Sequence, residues 1–129
     1  MDFKNGTELL ELCHQEGLPI SQVMRRRECE LGETTADQVE GRMTRALEIM
    51  RSSAMGPLKN PHRSMGGLIG GEARRLAQHA GSKQGICGPV LQRAITYAMA
   101  VLETNASMGL IVAAPTAGSS GVVPGLLLA

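Results

Sequence analysis

Glycine and proline punctuate this chain at intervals that leave room for helices, and that spacing constrains the fold more than any other feature. Asn5-Gly6-Thr7 offers a helix start, Leu9, Leu10, Leu12 and Cys13 supply an apolar stripe, and Gly17 is placed to stop the helix as a C-terminal cap. Pro19 suits the first position of a second helix over about 19–31, with Ile20, Val23, Met24 and Leu31 inward and Gly32 at its end. Thr35 and Gln38 form a capping box for a helix over about 35–55. Within it Val39, Met43, Ala46, Leu47, Met50 and Ala54 step by three and four, as one face of a helix requires. Gly56-Pro57 is expected to end that helix.

Residues 56–71 read as a loop, because Gly56, Pro57, Asn60, Pro61 and the run Gly66, Gly67, Gly70, Gly71 permit little else. A short helix over about 72–80, capped by Gly81, follows. Gly88-Pro89 starts a long helix to about Glu103, whose face of Val90, Leu91, Ala94, Ile95, Ala98, Val101 and Leu102 suits a buried element. The stretch from Asn105 to Ala114 fits helix or strand on pattern; its Ala, Met and Leu content favours helix up to Pro115. Thr116 to Gly121 reads as a tight polar loop, with Ser119 or Ser120 placed to cap a last helix over Val122 to Ala129. The expectation is an all-α fold, a helical domain fragment with glycine-rich loops, in which residues 1–129 form one part of a domain. Leu126-Leu127-Leu128-Ala129 carries no cap or polar tail, so the chain is expected to be truncated inside an element.

Composition narrows the function classes. Phe3 and Tyr97 are the only aromatic residues, so no stacking platform for bases or sugars exists, and eight Met with many Ala, Leu and Val are expected to fill the core. A net charge of +1 supplies no electrostatic argument for nucleic acid or an anionic membrane, and neither is expected as a partner. Arg25, Arg26 and Arg27 precede Glu28 and Glu30, which reads as a solvated, locally neutralised helix face. Cys13, Cys29 and Cys87 show no zinc spacing; each is expected as a small buried residue in a protein of the reducing cytoplasm. No run reaches the roughly 18 apolar residues of a membrane helix. The glycine run lacks the Lys-Ser/Thr ending of a P-loop, and no Ser/His/Asp constellation supports hydrolase chemistry.

The segment from Asn105 to Gly125, NASMGLIVAAPTAGSSGVVPG, closely resembles the bacterial iron–sulfur-dependent L-serine dehydratase α chain, which carries a run of the form N-A-x-M-G-x-x-x-A-x-P-T-A-G-S-[AS]-G-V-V-P-G. Gly66-Gly67-Leu68-Ile69-Gly70-Gly71-Glu72-Ala73 resembles that family's G-L-T-G-G-[DE]-A stretch, with Ile69 where the family often has Thr. Ser82-Lys83 and Gly88-Pro89 fit its next loop, and Ile20 to Met24 with Glu28 looks like its N-terminal helices. The resemblance covers nearly the whole sequence but less than half of a whole α chain. It implies conversion of L-serine to pyruvate and ammonia on a [4Fe–4S] cluster whose one open iron takes substrate. The ligands are expected downstream of Ala129, with no metal site within this sequence. A separate β chain is an implied partner, and a homo-oligomer is compatible with the resemblance.

Dehydration of serine requires activation of the hydroxyl, removal of the α-proton and a grip on the carboxylate. Thr116, Ala117, Gly118, Ser119, Ser120 and Gly121 are candidates for that grip, being a glycine-containing turn with hydroxyls and backbone amides at a helix start. Plain capping by Ser119 or Ser120 is the competing reading. Gly66 and Gly67 are candidates for backbone approach to substrate, against a simple connecting loop. Asn105 is either a substrate-contacting amide or a helix cap. The catalytic base is unknown; His62 is a weak candidate and Lys59 no stronger, while His79 suits a helix C-terminus and His14 an exposed face. Two alternatives stand beside serine dehydration: a related L-cysteine-degrading lyase, and a non-catalytic helical fragment or partner-binding module.

Overall fold

The computed structural model describes residues 1–82 and 85–129, so the expected fit at Lys83 lies outside the described residues. These residues form six α-helices and no strand: α1 (Gly6–Glu16), α2 (Ile20–Leu31), α3 (Ala36–Lys59), α4 (Glu72–Ser82), α5 (Gly88–Ala106) and α6 (Val122–Leu128). The chain divides into two compact units, Met1–Arg45 and Ala46–Ala129.

In the first unit local chemistry sets the helix ends. The Asn5 side chain accepts from the Glu8 amide at 3.0 Å, and Glu8 in turn accepts from the Lys4 amide at 2.7 Å, so amides that the helix leaves bare are satisfied. Gly17, at φ 63°, closes α1, with the Leu18 amide reaching back to the Cys13 carbonyl. Pro19 is the residue before α2 rather than its first helical position, and its carbonyl accepts from Gln22 and Val23. Of the side chains expected inward on α2, only Val23 is buried; Ile20, Met24 and Leu31 are exposed. Thr35 and Gln38 make the expected reciprocal capping box, each amide bonded to the other's side chain at 3.3 Å. Arg25 and Arg26 are exposed as expected, with Arg26 facing Glu16 at 3.4 Å, whereas Arg27 is half-buried and lies over the Phe3 ring.

In the second unit α4 and α6 pack on α5. The approach of α6 is close enough to exclude side chains. A Cβ on Gly121 would stand 2.6 Å from the Ala98 carbonyl oxygen, and one on Gly125 would stand 2.7 Å from that of Ala94. Positions four apart on each helix therefore form the contact, the geometry of closely packed helix ridges. The buried residues match this: Ala54, Ala73, Ala94, Ala100 and Val101 line the interior. Ala and Val fill the core as expected, but of the methionines Met50 alone is buried among the described residues, and Met24, Met43, Met65 and Met108 are exposed. Helices this close have no room for long side chains between them. The face expected on α5 holds in part: Ala94 and Val101 are buried as expected, but Val90, Leu91, Ile95 and Leu102 are exposed, and Thr96, Ala100 and Glu103 are buried besides.

Three expected boundaries move. Gly81 lies inside α4 rather than capping it. The stretch 105–114 is neither helix nor strand beyond Ala106. There the Gly109 amide reaches the Thr104 carbonyl at 2.8 Å and the Met108 amide reaches that of Asn105 at 3.1 Å, the crossed pair that closes a helix. Met108 takes the left-handed position, φ 62°, usually given to glycine, which hides the stop from a reading of glycines alone.

The third concerns Gly56-Pro57, which sits within α3 instead of ending it. Proline has no amide hydrogen to give the carbonyl four residues back, here Ser53. The Thr104 hydroxyl, from α5, donates to that Ser53 carbonyl at 2.7 Å. A tertiary hydrogen bond replaces the helical one, so the last turn of α3 persists to Lys59. Thr104→Val should therefore destabilise the protein by about 1–3 kcal/mol, the cost of an unpaired buried carbonyl. The cost should shrink in a Pro57→Ala background, where residue 57 regains its own donor; urea unfolding of the two single variants and the double variant measures that coupling.

Candidate functional site

The C-terminal half of α5 anchors both glycine-bearing loops. Glu103, 2% exposed, accepts from the Ala73 amide at 2.7 Å through Oε1 and from the Gly71 amide at 3.1 Å through Oε2. Its carboxylate thus satisfies first-turn amides of α4 and sits at the positive end of that helix. Glu72 accepts from the Gly70 amide at 2.7 Å. Ahead of this clamp the loop closes on Ser64. The Ser64 amide donates to the Ile69 carbonyl at 2.7 Å, and the Ile69 amide donates to the Ser64 hydroxyl at 3.2 Å. Gly66 and Gly67 lie exposed at the tip of the turn so formed.

Glycine is required where this loop returns. Gly71 has φ 93°, and a Cβ on Gly70 would stand 2.6 Å from the His62 carbonyl oxygen. His62 itself is exposed in the loop. Lys59, expected in the same loop, is instead the last residue of α3, and its carbonyl accepts from Arg74 at 3.3 Å.

Asn105 lies in the last turn of α5, half-buried, two residues beyond Glu103. Its side chain does not cap the helix: Ser107 holds that position, with its hydroxyl on the Glu103 and Thr104 carbonyls at 2.9 and 3.1 Å. The Asn105 amide group makes no hydrogen bond among the described residues.

The loop of Thr116 to Gly121 is built on Ser119. Its hydroxyl stands 3.0 Å from that of Thr116 and 3.1 Å from the Ala114 carbonyl, across the cis Ala114–Pro115 peptide. The Ser119 amide donates to Thr116 Oγ1 at 3.3 Å, and the Thr116 amide donates to Ser119 Oγ at 3.3 Å. Ser120 is fully buried and donates to the Ala117 carbonyl at 2.7 Å. Neither serine caps α6 with its side chain; Gly121 holds that place against α5. Thr116, Ala117 and Gly118 are exposed, and the amides of Ala117 and Gly118 donate to no group among the described residues. No described hydrogen bond joins this loop to the one at 60–71.

Sequence reasoning missed Glu103, Thr104, Ser64 and Glu72. Glu103 carried a signal: it follows Thr96 and Ala100 at the spacing of one helix face, where a lone carboxylate among small residues demands buried donors. Cys13 and Cys29 are half-buried, but Cys87 is exposed in the turn before α5, against the expectation of a buried thiol. Among the described residues no three His, Cys, Asp or Glu side chains stand together as a metal site, so these residues do not fit an iron–sulfur cluster. No described helix is long and apolar enough to cross a membrane.

Hydrogen bonds from its own amide and that of Gly70 hold the Glu72 carboxyl below its ordinary value of 4.5; partial burial opposes this, and Arg75 and the Glu103 side chain add to the lowering. A lowered folded-state value means stability that is present above about 4.5 and lost as pH falls through the folded value. Protection of the Gly70 amide from hydrogen exchange should therefore weaken in the wild type as the pH falls from the ordinary carboxyl value of 4.5 through the lower folded one. In Glu72→Gln it should be weak throughout and lose that pH dependence.

The family model described as serine dehydratase alpha chain matches residues 15–129. The chain is 39% identical over 127 residues to a probable L-serine dehydratase, alpha chain, of Bacillus subtilis, covering 98% of this chain and 42% of that protein. It is 34% identical to the L-serine dehydratase, alpha chain, of Peptoniphilus asaccharolyticus, covering 98% and 44%. Its identity to the L-serine dehydratase of Streptomyces coelicolor is 33%, covering 97% and 27%. The chain thus spans less than half the length of these relatives. No solved structure matches it. Matched from within α1 through α6, with both anchored loops inside the matched region, the chain belongs to the serine dehydratase alpha chain family.

Proposed function

We propose that this chain supplies the substrate-gripping part of an L-serine ammonia-lyase, the enzyme converting L-serine to pyruvate and ammonia. The observation that carries the reading is the Thr116–Gly121 loop. The Thr116 and Ser119 hydroxyls tie the loop to itself and Gly121 seats it on α5, while Ala117 and Gly118 are exposed and their amides donate to no group among the described residues. Preorganised amides are suited to a carboxylate because they need no rearrangement on binding. Thr116, Ala117 and Gly118 make the contact in this reading, and Ser119, Ser120 and Gly121 hold its shape. The Asn105 amide and the Gly66-Gly67 tip are further substrate contacts in this reading: Asn105 lies in the last turn of α5, and Glu103 of the same turn holds the base of the loop that bears the tip.

The reaction removes water across the Cα–Cβ bond. The α-proton passes to a base and the Cβ–O bond breaks, leaving an enamine. That tautomerises to an imine, which water hydrolyses to pyruvate and ammonia. Within this chain the candidate base is His62, an exposed residue whose backbone carbonyl lies at the Gly70 crossing. The [4Fe–4S] cluster implied by the family would be bound by residues outside this sequence, and a β chain would complete the site; a cytoplasmic setting suits such a cluster.

Two substitutions in the complete enzyme, prepared without oxygen and assayed for serine-dependent pyruvate, test this. Gly118→Asp adds a negative charge where the carboxylate should sit, at a position whose Cβ meets only Thr116 Oγ1 at 3.9 Å. It should raise the KM for L-serine about tenfold or more. An unchanged KM removes the loop from the substrate site. His62→Gln should lower kcat by about 10²-fold or more with KM nearly unchanged; full activity clears His62 of the role.

A further inference from the structure

Glu103 is the one buried acidic or basic residue among the described residues, and each of its carboxylate oxygens accepts from a backbone amide. Nothing in serine dehydration calls for a carboxylate there. Its position explains it. The Ser64–Ile69 turn is closed by its own hydrogen bonds, which tie its two ends together. It joins α4 through Gly70 and Gly71, two residues without side chains to hold them. Glu103 grips the amides on either side of Glu72, those of Gly71 and Ala73, and so fixes the base on which the turn stands.

We propose that Glu103 is a positioning residue for substrate binding: through Gly71 and Ala73 it sets where the exposed Gly66-Gly67 tip lies. This rests on the reading that the tip contacts L-serine. A carboxylate is specifically needed, because both its oxygens accept. A glutamine would accept with one oxygen and set its NH2 group against the other N–H, donor facing donor. An aspartate keeps the charge but is one methylene shorter, so it reaches one amide well and the other poorly. Charge-assisted hydrogen bonds of this kind are about twice as strong as neutral ones, which makes the clamp sensitive to a change of one atom.

The test is steady-state kinetics on the complete enzyme with Glu103→Gln, Glu103→Asp and Gly118→Asp in parallel, together with hydrogen exchange at the Gly71 and Ala73 amides. Glu103→Gln should raise the KM for L-serine about tenfold with kcat within about twofold, because a displaced contact weakens binding without touching the chemistry. Glu103→Asp should fall between it and the wild type. Exchange at both amides should quicken in the same order. A purely structural Glu103 would instead lower the amount of active enzyme, reducing apparent kcat at constant KM, and that result overturns the proposal. If Glu103→Gln does not fold, Glu103→Asp is judged by the same KM criterion. A rise in KM for the Glu103 variants beside an unchanged Gly118→Asp supports this proposal while removing the 116–121 loop from the site. The reverse pattern leaves that loop in place and overturns the role of Glu103.

Discussion

A carboxylate removed from water must be met by donors, and Glu103 is met by two backbone amides at the start of α4. Much of the second unit can be read outward from that contact. It settles where α4 begins, since the amides it satisfies have no partner within their own helix. It settles the path of the preceding glycines, because Gly71 has to present its amide while holding a left-handed backbone. On the next residue, the Thr104 hydroxyl reaches across to α3 and supplies the donor that Pro57 lacks. Neighbouring polar side chains on one helix thus tie two others to it by hydrogen bonds that local sequence cannot provide.

The far face of α5 is governed by shape instead. Gly121 and Gly125 lie against the carbonyls of Ala98 and Ala94 at distances that admit no side chain. Close contact of this sort gathers many small dispersion gains without large residues, which suits a chain with two aromatics. It also has a consequence for the loop before α6. Gly121 is pressed on α5 and Ser120 is buried, while Thr116, Ala117 and Gly118 are exposed. The exposed residues stand at the place where the family motif concentrates glycine and hydroxyls.

Legibility followed the range of the interactions. The Asn5 start, the Gly17 stop and the Thr35–Gln38 box were readable because every partner lies within a few residues. Pro57 was misread because its compensation comes from Thr104, far along the chain. The end of α5 was misread because Met108 adopts the conformation for which glycine is the usual marker. The apolar face of α5 was read only in part: Ala94 and Val101 are buried as expected, but burial there depends on α4 and α6, and helices that approach closely favour Ala100 over Ile95 and Leu91. At the site, the motif residues were found by resemblance, whereas Glu103 and Ser64, which hold them, carry no motif of their own.

By itself the sequence determined the helical class, most helix starts, the two glycine loops and the family, because periodicity, caps and motif residues are local properties of the chain. Tertiary structure decided which helix face is buried, that α3 continues through a proline, and which backbone amides stand free. Those outcomes depend on donors and surfaces brought together from distant positions, and only the folded chain sets them side by side.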